Sequence, residues 1–138
     1  MGDEQITRVL LVLANREAGA VLGPALQYEA DTVVWVAAAR YAWARLKDGE
    51  QYDVVVLDHS AAFNQPYGEI ITNWLCARPK LLEVVGVIGG PNDRDFFTNL
   101  GWATASYADL VKTVLEILAE RKLLAAEAAQ YGRDIGPR

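Results

Sequence analysis

Short apolar runs alternate with longer segments of helical composition along this chain. The runs are rich in Val, Leu and Ile, and three of them lack in/out alternation, as in parallel strands that helices cover on both faces. The pattern predicts five strands, over Arg8–Leu13, Thr32–Val36, Asp53–Leu57, Val84–Ile88 and Ala103–Ala105. It predicts five helices between and after them, over Glu17–Tyr28, Ala38–Lys47, Tyr67–Arg78, Asp93–Leu100 and 108–131.

Turn and capping residues support the ends of these helices. Gly49 follows the second helix, Pro79 follows the third, and Gly101 follows the fourth, where we expect a left-handed glycine cap. Ser106 precedes the last helix and has Asp109 three residues later, a pair that satisfies free backbone amides at a helix start.

The first and last helices are the unusual ones. Gly19, Gly23 and Pro24 weaken the first, since a proline inside a helix costs about 3 kcal/mol, and we expect a kink, a late start or a short helix there. The last helix is longer than closing the domain requires. We therefore predict one domain over 1–131 with an extended C-terminal helix, followed by a flexible tail over 132–138.

Size and composition fit a single α/β domain. The 138 residues are 52% hydrophobic and 22% charged, which excludes a disordered or low-complexity chain. A right-handed βα series of this length is most simply a doubly wound five-stranded sheet. In such a sheet a ligand binds at the carboxyl ends of the strands, here Leu13-Ala14-Asn15, Asp58-His59-Ser60 and Gly89-Gly90-Pro91.

Charge and rare residues exclude several classes of function. The net charge of −5 argues against direct nucleic-acid binding. No apolar run approaches the roughly 20 residues of a membrane helix, and a secretory signal is not evident, so we expect no membrane contact and a cytoplasmic location. One histidine, His59, and one cysteine, Cys76, do not make a zinc site, and we expect no metal and no cofactor. Asp58, His59 and Ser60 are consecutive, so their side chains diverge, and we expect no catalytic triad and no enzyme.

The stretch from 38 to 58 resembles the receiver domain of two-component response regulators. An Ala-rich helix ends in Lys47-Asp48-Gly49, and a Val-rich strand then ends in Asp58, about 45 residues past the first strand. The resemblance covers about Arg8 to Glu120. It implies a flavodoxin-like doubly wound sheet of five parallel strands, order 2-1-3-4-5, with helices on both faces, and it places Asp58 at the phospho-acceptor position.

The sequence departs from the receiver pattern wherever phosphotransfer needs other groups. Leu13-Ala14 stand where receivers have the acidic pair that holds Mg²⁺, and Gly89 stands where they have Ser or Thr. The lysine that follows their fifth strand is missing, since the first lysine here is Lys112. The resemblance therefore implies a pseudo-receiver, a signalling domain in which Mg²⁺-dependent phosphorylation of Asp58 is not expected. Taken alone, Asp58 is an acid at a strand end that caps loop amides with its charge solvated.

A different hypothesis is a small-ligand sensor of the same fold. Asn15, Arg16, Asp58 and the amides of Gly89 and Gly90 could form an anion pocket, since amides and a guanidinium suit phosphate or carboxylate. The segment 87–103 is also similar to the late part of cobalamin-binding domains, with Gly-Gly for close approach. Arg16, however, stands where that family has its cobalt-binding histidine.

Without a working phosphorylation site, function depends on protein contacts. By the receiver resemblance, the face of the fourth helix, fifth strand and fifth helix binds partners, and here it carries Phe96, Phe97, Trp102 and Tyr107. The overhanging last helix also predicts a homodimer, through that helix or through the same face. The sequence thus predicts a receiver-like domain of a two-component or phosphorelay pathway that acts by protein–protein interaction.

Overall fold

Five parallel strands form one sheet in the order β2-β1-β3-β4-β5. The computed structural model describes residues 7–28, 30–78, 82–90 and 93–134. The strands are β1 (Arg8–Val12), β2 (Thr32–Val36), β3 (Val54–Asp58), β4 (Glu83–Ile88) and β5 (Ala103–Ser106). The predicted flavodoxin-like fold and its strand order 2-1-3-4-5 are confirmed.

Helices cover both faces of this sheet. They are α1 (Arg16–Gln27), α2 (Ala39–Lys47), α3 (His59–Ala62), α4 (Tyr67–Cys76), α5 (Asp93–Asn99) and α6 (Leu110–Asp134). Side chains of α1 and α6 share one apolar cluster with the sheet, and side chains of α2, α4 and α5 share the other. The sequence missed only α3, because a four-residue helix is too short to show a periodic pattern.

Successive residues of β1 explain why the runs lack alternation. Leu10 and Val12 pack into the cluster on the α2 side, whereas Val9 and Leu11 pack into the cluster on the α1 side. All four are fully buried. Since both faces of a central parallel strand are covered, both sets of positions have to be apolar.

The first helix is neither late nor short, so those two expectations were wrong. It starts one residue before the predicted position and runs for twelve residues with Pro24 inside. Asn15 Oδ1 accepts a hydrogen bond from the Ala18 amide at 3.0 Å and so caps the helix, and Leu22 and Leu26 are buried against the sheet. Capping and burial together offset the cost of the proline.

The other helix ends follow the sequence signals closely. Gly49 and Gly101 have φ of +93° and +81°, as glycine caps after α2 and α5 require. The Asp109 amide donates to Ser106 Oγ at 3.2 Å, as the predicted cap before α6 requires. The final helix extends beyond its predicted end at 131, because adding residues to a formed helix costs little. Residues 132–134 are therefore helical rather than part of a flexible tail, and 135–138 lie outside the described residues. None of the described helices is long and apolar enough to cross a membrane.

Candidate functional site

Asp58 lies at the carboxyl end of the central strand and is held by three backbone amides. Its Oδ1 accepts from the Ala61 amide at 2.8 Å and thereby caps α3. Its Oδ2 accepts from the Ala14 amide at 2.8 Å and the Asn15 amide at 3.4 Å. The side chain caps loop amides as expected, but its charge is not solvated, because Asp58 is only 1% exposed.

A fourth donor comes from Tyr107, just after β5. Its hydroxyl donates to Asp58 Oδ2 at 3.1 Å across 49 residues of chain. Burial, followed by the negative charge of Asp58, raises the pKa of Tyr107 well above its usual value of 10.0. The phenol therefore keeps its proton at neutral pH and remains a donor to the carboxylate.

These contacts do not fit a receiver-type magnesium site. Mg²⁺ requires several oxygen ligands in near-octahedral geometry, usually including carboxylates. The residue after β1 that would supply a second acid is Ala14, which offers no carboxylate and whose amide donates to Asp58 Oδ2. Among the described residues, no group of three or more His, Cys, Asp or Glu side chains could hold a metal ion. The residues present thus suit an internal hydrogen-bond network and not this cation.

A second buried acid, Asp93, lies beside the first. Its Oδ2 accepts from the Gly89 amide at 2.7 Å and the Gly90 amide at 2.8 Å. Its Oδ1 lies 3.1 Å from Nε2 of His59, the residue that follows Asp58. Asp93 is 5% exposed, so this carboxylate ties the β4 loop, the start of α5 and α3 together in the protein interior.

The predicted anion pocket is therefore filled by the protein itself. Gly89 and Gly90 point their amides at an anion, but that anion is the side chain of Asp93. Asn15 is used as the α1 cap, and Arg16 is an exposed residue at the start of that helix. The amides of Gly89 and Gly90 are thus already bonded to a carboxylate of the chain, and binding of an external anion at these residues stays a prediction.

A run of aromatic rings leads from this site into the core. His59 contacts Phe63 edge-on at 4.3 Å between centroids, and Phe63 lies 4.6 Å from Phe96. Phe96 in turn meets Phe97 at 5.3 Å, and Phe97 stacks with Trp102 at 6.0 Å. Phe63 is 47% exposed, so the run is open to solvent next to His59, whereas Phe97, further along it, is fully buried.

The structure divides the four predicted partner residues. Phe97 is fully buried and is not a surface residue, because its ring fills the space over Gly86, where a Cβ atom would overlap the ring. Tyr107 is half-buried and turned toward Asp58. Phe96 and Trp102 are partly exposed and stay candidates for partner contact. The homodimer predicted through α6, or through the face of α5, β5 and α6, also stays a prediction.

Sequence reasoning missed the roles of three residues at this site: His59, Phe63 and Asp93. The signal for Asp93 was present, because an acid three or four residues after a Gly-Gly pair can reach back to both glycine amides as it starts a helix. His59 could not be assigned a partner from sequence, because Asp93 is 34 positions away. Contact between them depends on β3 and β4 being neighbours.

Several solved structures with a similar fold are receiver domains. The chain is similar to a CheY-like response regulator receiver domain from Methanospirillum hungatei JF-1, with a TM-score of 0.67 and 18% identity over 86% of this chain and 98% of that one. It is similar to the signal receiver domain of a putative LuxO repressor from Vibrio parahaemolyticus, with a TM-score of 0.66 and 18% identity over 88% of this chain and 97% of that one. It also matches a structure of the CheA3 P1 domain in complex with CheY6 from R. sphaeroides, with a TM-score of 0.59 and 15% identity over 84% and 99%.

No protein-family model matches the sequence, and no curated protein is significantly similar to it. The likeness to receiver domains is thus a likeness of fold. At a sequence identity of 15 to 18%, the side chains at the site have to be compared one by one.

Proposed function

We propose that this chain is an atypical receiver-like domain of a two-component or phosphorelay pathway that acts in the cytoplasm by binding proteins. In this proposal it is not an enzyme, and Asp58 does not accept a phosphoryl group by the Mg²⁺-dependent route. The observation that carries the proposal is the state of Asp58, a fully buried carboxylate whose Oδ2 already accepts from two amides and the Tyr107 hydroxyl.

Formation of an acyl phosphate depends on whether this carboxylate can reach the phosphoryl donor. A carboxylate oxygen has to approach the phosphorus of a charged donor, and a cation has to offset the repulsion between them. Here Oδ2 is enclosed by donors, and Ala14 takes the place of an acid. The nearest lysine in the sequence after β5 is Lys112, which belongs to α6. Within the described part of the chain, neither an open Oδ2 of Asp58 nor a cluster of metal ligands supports phosphoryl transfer.

Protein binding is supported by the fold likeness and by an exposed aromatic pair. One structure of similar fold contains a CheY protein in complex with the P1 domain of CheA3, so a domain of this shape can bind a partner protein. Phe63 and Phe96 form a partly exposed pair beside the site, and aromatic side chains are enriched in the energetic centres of interfaces. We place the partner-binding surface at this pair.

Intact-mass measurement after incubation with acetyl phosphate and Mg²⁺ tests the proposal. The expected result is no mass increase of one phosphoryl group, in the wild-type protein or in Asp58→Asn. A phosphoryl adduct on the wild-type protein that is absent from Asp58→Asn would overturn it. Tyr107→Phe serves as a second variant, because it removes one donor from Oδ2 and leaves the missing cation site unchanged, so it too is expected to stay unmodified.

A further inference from the structure

Strand β2 forms one edge of the sheet and has no sequence feature that protects an edge. Its five residues, Thr32–Val36, read Thr-Val-Val-Trp-Val, without a charge, a proline or a glycine. In the described part of the chain β2 pairs with β1 alone. Natural edge strands usually carry lysine, proline or a bulge, because open backbone groups recruit another strand.

The hydrogen bonds to β1 show which backbone groups of β2 are open. The Thr32 amide donates to the Thr7 carbonyl at 3.0 Å, and the Val36 carbonyl accepts from the Leu13 amide at 3.1 Å. In a parallel strand alternate residues direct their backbone groups to the same side, so Thr32, Val34 and Val36 face β1. The amide and carbonyl groups of Val33 and Trp35 therefore face away from the sheet.

We propose that β2 is a homodimer interface, where two copies pair their β2 strands antiparallel about a twofold axis at Val34. In this register Val33 lies opposite the partner's Trp35, and each such pair can exchange two backbone hydrogen bonds. The twofold axis repeats the pair, so every open group of Val33 and Trp35 finds a partner. The two five-stranded sheets then form one continuous sheet.

Side chains and charges at the edge fit a second copy. Trp35 is held in place, since its indole Nε1 donates to the Leu13 carbonyl at 3.1 Å and its ring lies against Gly19. Opposite the partner's Val33 it makes an aromatic and β-branched pair, which stabilises antiparallel strands. Asp31 precedes β2 and Arg40 follows it, and both are exposed. Antiparallel pairing brings the end of β2 next to Asp31 toward the end of the other copy that leads to Arg40, so the charges near these ends are opposite in sign.

Cysteine crosslinking tests the register directly. Val34 and the partner's Val34 form a pair without mutual hydrogen bonds, with Cα atoms about 4.5 Å apart, which is within the range for a disulfide. Val36 is on the same strand and the same face, but its two copies would lie about 14 Å apart, at about 3.4 Å per residue. In the full chain with Cys76→Ser, Val34→Cys is therefore expected to form a covalent dimer under mild oxidation at least about tenfold faster than Val36→Cys. Equal or negligible crosslinking of the two variants would overturn the proposal.

Sedimentation equilibrium of the full chain tests the interface without a crosslink. Wild-type protein is expected to dimerise, and Val33→Pro, which removes one outward amide and leaves the bonds to β1, to weaken the dimer about tenfold or more. Leu123→Lys changes an exposed residue of α6 and is the matched control for a helix-mediated dimer. A wild-type protein that is monomeric at every concentration contradicts the proposal. So does a dimer that is lost in Leu123→Lys but kept in a folded Val33→Pro variant. The phosphorylation assay does not depend on this interface, so the two proposals can fail separately.

Discussion

Replacing Tyr107 by Phe removes a single oxygen atom from the site and leaves the ring in place. The lost group is the hydroxyl that donates to Asp58 Oδ2 at 3.1 Å. Asp58 keeps the amides of Ala14, Asn15 and Ala61, so the carboxylate is weakened as an acceptor but not left without donors. The substitution therefore isolates the contribution of the Tyr107 bond to folding.

The size of the effect follows from the charge and burial of the acceptor. A hydrogen bond to a charged group contributes about 1.5 to 3 kcal/mol, and we expect a loss of about 2 kcal/mol in the free energy of unfolding. For 138 residues the entropy of unfolding is about 0.3 kcal/mol per degree, so the melting temperature should fall by about 7 °C. Tyr28→Phe is the control, because Tyr28 is 91% exposed and its loss should cost less than about 0.5 kcal/mol.

Urea unfolding of a double-mutant cycle measures the interaction itself. The cycle combines Tyr107→Phe with Asp58→Asn, and residues in direct contact are expected to show a coupling energy of about 1 kcal/mol or more. A coupling below about 0.5 kcal/mol, or a Tyr107→Phe variant as stable as Tyr28→Phe, would refute the view that Tyr107 holds Asp58.

Three further predictions concern the same interior. Asp93→Ala should lower the free energy of unfolding by about 2 to 4 kcal/mol, because it leaves the amides of Gly89 and Gly90 without an acceptor. Added formate should restore part of the melting temperature that this variant loses and should leave the melting temperature of the wild type unchanged. Gly86→Ala should destabilise by about 1 to 3 kcal/mol in urea, since its new Cβ atom would overlap the Phe97 ring. At alkaline pH the unfolded state loses the Tyr107 proton first, because burial raises the pKa of Tyr107 only in the folded state, so stability should fall as pH rises above 10. That decline should be shallower in Tyr107→Phe, and an unchanged slope would contradict it.

The elements of this fold were accessible from sequence because the signals are local. Buried parallel strands must be apolar on both faces, so β1 and β3 stand out as continuous runs, and Gly49 and Gly101 mark helix ends through a φ that other residues avoid. The first helix was harder to predict. Helix propensity includes the cost of Pro24, but it does not include the burial of Leu22 and Leu26, which offsets that cost.

The site shows the same limit more sharply. Asp58 could be located because it ends a strand, and the loss of the receiver's other groups could be found position by position. The hydrogen-bond partner of each side chain could not be found by comparing positions in this way. The hydroxyl of Tyr107 and the carboxylate of Asp58 are 49 residues apart, and Asp93 reaches His59 only because β4 lies next to β3.

By itself, then, the sequence determined the layers, the strand order by resemblance, and the absence of an acidic pair beside Asp58. Tertiary structure decided which groups bond to these acids. Tyr107 and three amides donate to Asp58, and Asp93 accepts from the Gly89 and Gly90 amides that an external anion would need. The physical reason is that a run of residues fixes local geometry through backbone and burial preferences, whereas a buried polar group is stable only if distant elements bring it a partner.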